Sequence, residues 1–230
     1  ITVTAQDGTT KDVTITIDGA NDAASISGVI TGAVTEDSVT TTATGTVTHT
    51  DVDANNTDNV FTAATSTTSI GGYGSYAVTT GGAWTYTLDN TNATVTALAA
   101  AATLDDTFAI TAEDGTSQTI TVTITGANDA PTVSTAIANT STNEDAVYSF
   151  DASANFADVD TGDGATYSAT LADDSALPSW LSINSLGVLS GTPLNANVGS
   201  IDVKVTRTDT ANASVSDTYT LTIDNTNDVP

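Results

Sequence analysis

One phrase occurs three times in this chain, and its spacing restricts the fold more than any other feature. Asp18-Gly19-Ala20-Asn21-Asp22, Thr125-Gly126-Ala127-Asn128-Asp129 and Asp224-Asn225-Thr226-Asn227-Asp228 each follow a run of alternating apolar and polar residues. The Asn-Asp pairs stand 129 − 22 = 107 and 228 − 129 = 99 residues apart. Solenoid units repeat at roughly 20–50 residues, so this period is too long for one. It suits a series of independent β-sandwiches of about 100 residues each. The phrase therefore reads as a junction, and predicts one domain over residues 23–129 and another over 130–230.

The patterns between the junctions are those of strands. Trp84, Tyr86 and Leu88 alternate with threonines and an alanine, as do Phe108, Ile110 and Ala112, then Ile120, Val122 and Ile124. In the second stretch Tyr148 and Phe150, Tyr167 to Leu171, Ile201 to Val205 and Tyr219 to Ile223 repeat the theme. Period-two alternation means a strand with one buried face. Gly71-Gly72, Gly81-Gly82 and Asp114-Gly115 punctuate the runs as turns. Only Ala97–Ala102 looks briefly helical. The fold class is all-β, with tandem antiparallel sandwiches, and the alternation predicts that Trp84 and Trp180 are buried in their cores.

Residues 1–22 match the end of the first domain. Ala5-Gln6-Asp7-Gly8 corresponds to Ala112-Glu113-Asp114-Gly115 at the repeat offset of 112 − 5 = 107. The segment reads as the last strands of a preceding domain plus its linker, and the chain as a piece of a longer polypeptide. A lone hairpin is marginal in water. Strands over Val13, Ile15 and Ile17 are therefore expected only where another surface completes them, and strand pairing with a second molecule is one route.

Charge narrows the partners. Three Lys and Arg stand against 28 acids, for a net charge of −25. Phosphate backbones and anionic membrane surfaces need basic partners, so neither nucleic acid nor direct membrane insertion fits. Only Glu36, Glu113 and Glu144 are glutamates, which leaves 28 − 3 = 25 aspartates. An Asp-rich, Lys-poor chain suits a hard cation with oxygen ligands, Ca²⁺ above all. Simple adaptation of the surface to a salty medium is the alternative. With no cysteine, disulfides are absent.

The acids fall at matching stations. An early pair is Glu36-Asp37 in one domain and Glu144-Asp145 in the other. An Asp-x-Asp follows, Asp51/Asp53 and Asp158/Asp160, and then an Asp after the penultimate strand, Asp114 and Asp209. The linkers add Asp18, Asn21 and Asp22, then Asn128 and Asp129, then Asp224, Asn227 and Asp228. If the first strand of each sandwich runs from top to bottom, the early pair lies beside the outgoing linker. The Asp-x-Asp and the late Asp then lie beside the incoming one. Asn and Asp are also ordinary turn formers, but three copies in step with the same stations favour calcium joints.

Other chemistries are poorly supplied. Asp158 to Gly164 begins like an EF-hand, but Gly162 and Ala169 occupy ligand positions. Gly71 to Ser75 begins like an RTX nonapeptide, but Tyr76 replaces the aspartate. A catalytic triad would have to use His49, the single histidine. Zinc needs His or Cys clusters, which are absent.

Two stretches of motif resemble known families. Thr35-Glu36-Asp37, Thr44-Gly45-Thr46-Val47, Asp51-Val52-Asp53, Tyr73-Gly74, Gly82-Ala83-Trp84-Thr85-Tyr86, Leu98-Ala99, Asp114-Gly115 and Gly126 to Pro131 resemble a VCBS repeat across residues 23–129. Asn143-Glu144-Asp145, Phe156 to Asp160, Tyr167-Ser168-Ala169, Leu177 to Leu181 and Ser190 to Pro193 resemble a dystroglycan-type cadherin-like domain across 130–230. The resemblance implies Ig-like sandwiches with calcium at their junctions. It also implies an extracellular place at a bacterial cell surface, within a very large RTX-type adhesin exported by type I secretion. Ala24 departs from the pattern, since the other junctions carry Pro131 and Pro230. Two functions stay open: a calcium-stiffened spacer that holds an adhesive tip away from the cell, and a module that grips a sugar or peptide. Removing residues 1–22 tests the pairing route, because an unchanged oligomeric state excludes it.

Overall fold

The computed structural model describes residues 1–52 and 60–227. Asp53 and Asp228, both assigned above to calcium joints, lie outside the described residues. The strands are β1 (Thr2–Thr4), β2 (Thr10–Asp12), β3 (Ser25–Gly28), β4 (Thr31–Thr35), β5 (Thr42–Thr50), β6 (Ala64–Thr68), β7 (Gly74–Val78), β8 (Ala83–Leu88), β9 (Thr103–Thr111) and β10 (Ser117–Thr125). They continue with β11 (Thr132–Val133), β12 (Thr140–Asn143), β13 (Tyr148–Asp151), β14 (Phe156–Ala157), β15 (Thr166–Leu171), β16 (Leu181–Ile183), β17 (Val188–Gly191), β18 (Gly199–Thr208) and β19 (Ser214–Asp224). No α-helix occurs among the described residues, and the only helical elements there are single 3-10 turns at Ser153–Asn155 and Asn195–Asn197. The Ala97–Ala102 stretch forms hydrogen-bonded turns.

Two sandwiches result. The first packs the sheet β3-β5-β8-β7-β6 against β4-β10-β9. Its core joins Val47, Val78, Trp84, Tyr86 and Leu88 from one sheet to Phe108, Ile110, Ile120, Val122 and Ile124 from the other. The second packs β13-β17-β16 against β12-β19-β18-β15, around Tyr148, Leu181, Leu189, Val203, Val205, Tyr219, Leu221 and Ile223. Threonine takes most of the outward positions of β9 and β10 and half of those of β19, where its branched Cβ suits a pleated surface without adding much apolar area.

In each sandwich the opening strand leaves its first partner and runs parallel to the closing strand. β4 pairs with β10 from Thr31↔Thr121 to Thr35↔Thr125, and β12 with β19 from Thr140↔Leu221 to Asn143↔Asp224. The closing strands also form long antiparallel hairpins, β9–β10 and β18–β19. Parallel strands finish at the same end, and a hairpin turn lies at the opposite end. Glu36 and Glu144 therefore stand beside the outgoing linkers, and Asp114 and Asp209 at the far ends.

Trp84 meets its expectation: it is 1% exposed, and its Nε1 donates to the Val29 carbonyl at 2.8 Å. Trp180 does not. It is half-buried at the edge of the second core, because Leu181 takes the inward position where the turn enters β16. The Trp180 backbone passes so close to Gly191 that a Cβ there would lie 1.8 Å from the Trp180 carbonyl oxygen. In the N-terminal segment β2 ends at Asp12, and Val13, Ile15 and Ile17 are exposed. The equivalent Ile120, Val122 and Ile124 of β10 are 0% exposed, so the segment has the sequence of a core strand without a core to enter.

Replacing Trp84 by Ala should destabilise the first sandwich by about 3–5 kcal/mol, the usual range for a buried aromatic. Trp180→Ala should cost the second sandwich less than half of that. Denaturant melts of the two variants check the order, and equal losses would contradict the burial described here.

Candidate metal centre

The linker between the sandwiches is gripped from both sides by carboxylates. Glu36 follows β4 and is 2% exposed, and its Oε1 accepts the Ala127 N–H at 2.8 Å. The Glu36 N–H in turn donates to the Thr125 carbonyl at 3.0 Å. Gly126, between those two linker residues, fits because it has no side chain. A Cβ would lie 2.4 Å from the carbonyl oxygens of Leu98 and Ala99.

The second sandwich supplies the other side. Asp160 Oδ2 accepts the Asp129 N–H at 3.0 Å, and Asp209 Oδ2 accepts the Asn128 Nδ2 amide at 3.0 Å. Within the loop after β14, the Asp160 N–H donates to Asp158 Oδ1 at 3.2 Å. The next residue reaches the first sandwich directly, Thr161 N–H to the Ala97 carbonyl at 2.9 Å. Asp158, Asp163 and Asp209 form one cluster, with a carboxylate oxygen from each lying within 4.8 Å of the others.

Several of these oxygens have no hydrogen-bond donor. Glu36 Oε2, Asp158 Oδ2, Asp160 Oδ1 and Asp163 Oδ2 are buried and unpartnered by any hydrogen bond. Asp106, inside the first core, provides the contrast. Its two oxygens accept from Ser69 Oγ, Tyr86 Oη and the N–H groups of Gly71 and Thr107, at 2.5–2.9 Å. A buried carboxylate oxygen without a donor is costly. Several together, with oxygen ligands only and no His or Cys, suit a hard dication such as Ca²⁺. Glu36, Asp129, Asp158, Asp160, Asp163 and Asp209 are the residues that would hold it.

The electrostatics agree. Burial, reinforced by neighbouring carboxylates, holds Glu36, Asp129 and Asp160 above the ordinary carboxylate range. Asp37 and Asp160 are among the charges that raise both Glu36 and Asp129. Asp209 is held below that range, first by the Asn128 amide.

The remaining stations divide. Glu144 repeats the arrangement of Glu36: it is 2% exposed, Oε1 accepts from Thr226 N–H at 2.9 Å and Asn225 Nδ2 at 3.0 Å, and Oε2 has no hydrogen-bond partner. Asp37 and Asp145 both adopt left-handed backbone, φ 52° and 59°, which short polar side chains tolerate. At the upper end of the first sandwich Asp114 Oδ2 accepts the Ala24 N–H at 2.8 Å. Asp18, Asn21 and Asp22 are exposed there, as are Asp224 and Asn227 at the other end of the chain, and Asp51 is half-buried. The sequence reading did not include Asp163 or Arg207. Asp163 stands five residues after Asp158 in the same loop, a spacing visible in the sequence. Arg207 places a guanidinium nitrogen 3.3 Å from Asp158 Oδ2, an ion pair inside the acid cluster.

Comparison with known proteins gives the two sandwiches separate relatives. Residues 21–126 match the family described as bacterial cadherin-like domain, and residues 130–224 match the family described as putative Ig domain. No curated protein sequence matches the chain. Among solved structures, protocadherin gamma B2 extracellular cadherin domains 1–5 align over 91% of this chain and 41% of theirs, with TM-score 0.61 and 17% identity. Human mucin-like protocadherin EC1–2 aligns over 88% of this chain and 99% of its own, with TM-score 0.59 and 14% identity. These likenesses establish the fold, a tandem of cadherin-like and Ig-like sandwiches. Both matched families are structural modules rather than enzymes. No helix among the described residues is long and apolar enough to cross a membrane.

In EDTA the raised groups set a pH dependence. Glu36, Asp129 and Asp160 bind protons more readily folded than unfolded, so their contribution is present at low pH and lost as pH rises through their folded pKa values. Thermal stability without metal should therefore increase from neutral pH toward mild acid. It should turn down only at lower pH, where Asp209 and Asp114 lose their charge. Melting curves across this range check the sign, and a monotonic loss toward acid would contradict it.

Proposed function

We propose that this chain is a calcium-rigidified extender segment of a very large bacterial surface adhesin, holding adhesive tip domains away from the cell. The observation that carries the reading is that Glu36 and Asp160, one from each sandwich, hold the linker backbone with one carboxylate oxygen and keep the other buried without a donor. The resemblance of residues 23–129 to a VCBS repeat and of 130–230 to a dystroglycan-type cadherin-like domain, as in RTX-type adhesins, supports it as well. On this reading the outer stations, Asp18, Asn21, Asp22, Asp51 and Asp114 above and Glu144, Asp145, Asp224 and Asn227 below, are halves of further joints. Neighbouring domains of the same long chain complete them. Export through a low-calcium cytoplasm, as in type I secretion, suits joints that stiffen only outside.

A ligand-gripping module is the competing reading, and the aromatic residues argue against it. A sugar or peptide site needs exposed aromatic platforms with polar anchors. All of the Trp, Tyr and Phe residues of this chain are buried or half-buried. Spacing, rather than gripping, is what such a surface can do.

Ionised carboxylates repel by about 1 kcal/mol per pair at 4 Å in water-like surroundings, and by more where solvent is excluded. Bound calcium removes that repulsion and ties the linker to both sandwiches, with stabilisation that grows as RT ln(1 + [L]/Kd). Small-angle scattering in millimolar calcium should give an extended particle with a high melting temperature, and EDTA a more flexible, less stable one. The Asp129→Ala, Asp160→Ala double variant should already be loose in calcium. If chelation changes neither the maximum dimension nor the melting temperature of the wild type, the calcium joint is wrong.

A further inference from the structure

The chain has three basic residues, and one of them is buried among its acids. Lys11 is exposed, and Lys204 pairs with exposed Asp174. Arg207 is different. It continues the inward row of β18, Val203, Val205, Arg207, at a position where alternation calls for an apolar side chain. The side chain is 8% exposed, and that of its partner Asp158 is 4% exposed. The pair lies 3.3 Å apart without an aligned hydrogen bond, and Arg207 Nε has no partner either. The guanidinium therefore contributes charge rather than a bidentate fork. Ala112, two residues before Asp114 as Arg207 is two before Asp209, holds the equivalent place in the first sandwich, and it is apolar and small.

We infer that Arg207 is a built-in counter-ion for the Asp158–Asp163–Asp209 cluster. It holds this end of the second sandwich together before any metal binds, and weakens the calcium affinity of the joint. This rests on the calcium reading only for its second half. Without the guanidinium, three clustered carboxylates face one another with no cation, and removing one partner of a buried ion pair is strongly destabilising. With it, a dication entering the cluster meets a positive charge already in place. The second sandwich is thus less dependent on metal for folding than an equivalent with an apolar residue at this position, and its joint responds at a higher calcium concentration.

The test uses the full chain and four proteins: wild type, Arg207→Met, Arg207→Lys, and Arg207→Met combined with Asp158→Asn. In EDTA, Arg207→Met should melt on the order of 10 °C lower. Lys should restore most of the loss, because a point charge suffices. Asp158→Asn should relieve part of it, because the uncompensated carboxylate is gone. In calcium titrations Arg207→Met should bind about tenfold more tightly, since a positive charge near the cation has been removed. A Met variant that folds only in calcium supports the inference in full. The inference fails if Arg207→Met melts like wild type in EDTA, if Lys does not rescue, or if Asp158→Asn deepens the loss. A wild type that takes up no calcium overturns the calcium joint instead, and the EDTA melts still decide the role of Arg207.

Discussion

Unpaired negative charge at the linker is the constraint on which this structure turns. Glu36, Asp129, Asp158, Asp160, Asp163 and Asp209 converge there, and Arg207 is the only cation joined to them by an ion pair among the described residues. Buried carboxylates are normally satisfied by donors, as Asp106 is by two hydroxyls and two backbone N–H groups. At the linker one oxygen of Glu36 and one of Asp160 hold backbone N–H groups, and the other oxygen of each has no donor. The first oxygen positions the chain, and the second makes no hydrogen bond. That division separates the linker acids from an acid that serves only the core.

Topology explains why the acids come in these stations. The opening strand of each sandwich ends parallel to the closing strand, so the residue after it necessarily lies beside the outgoing linker. The identical treatment of Glu36 and Glu144 follows from that register: each backbone N–H donates to the residue closing the last strand, and each Oε1 accepts from the linker. The hairpins β9–β10 and β18–β19 send Asp114 and Asp209 to the opposite ends. A module built this way carries acids at both ends whatever its neighbours are.

Much of this was legible in the sequence, because period-two alternation and a period near 100 residues report on backbone geometry directly. The pairing of Glu36 with the linker could be inferred from strand direction alone. Alternation misplaces Trp180 in the core, because the pattern breaks at Pro178 and the turn hands the inward position to Leu181. Asp163 was hidden by its resemblance to a failed EF-hand: the loop lacks that motif's ligands, yet its own fold brings Asp163 to Asp158 and Asp209. Arg207 carried no motif. Its signal was a charged residue in an inward position of a strand, which is readable only after the register is known.

One departure visible in the sequence has a chemical consequence. Ala24 and Pro131 occupy the same place after the Asn-Asp pair. The Ala24 N–H donates to Asp114 Oδ2, whereas proline has no N–H to give. At the central linker the equivalent Asp209 Oδ2 instead accepts the side-chain amide of Asn128. A backbone donor fixes its acceptor as rigidly as the chain itself is fixed, but a side-chain amide can rotate away. Proline at this junction thus does two things: it restricts φ in the linker, and it leaves Oδ2 of the late aspartate to a side-chain amide, while Oδ1 keeps the backbone N–H of Ala213 at 2.7 Å.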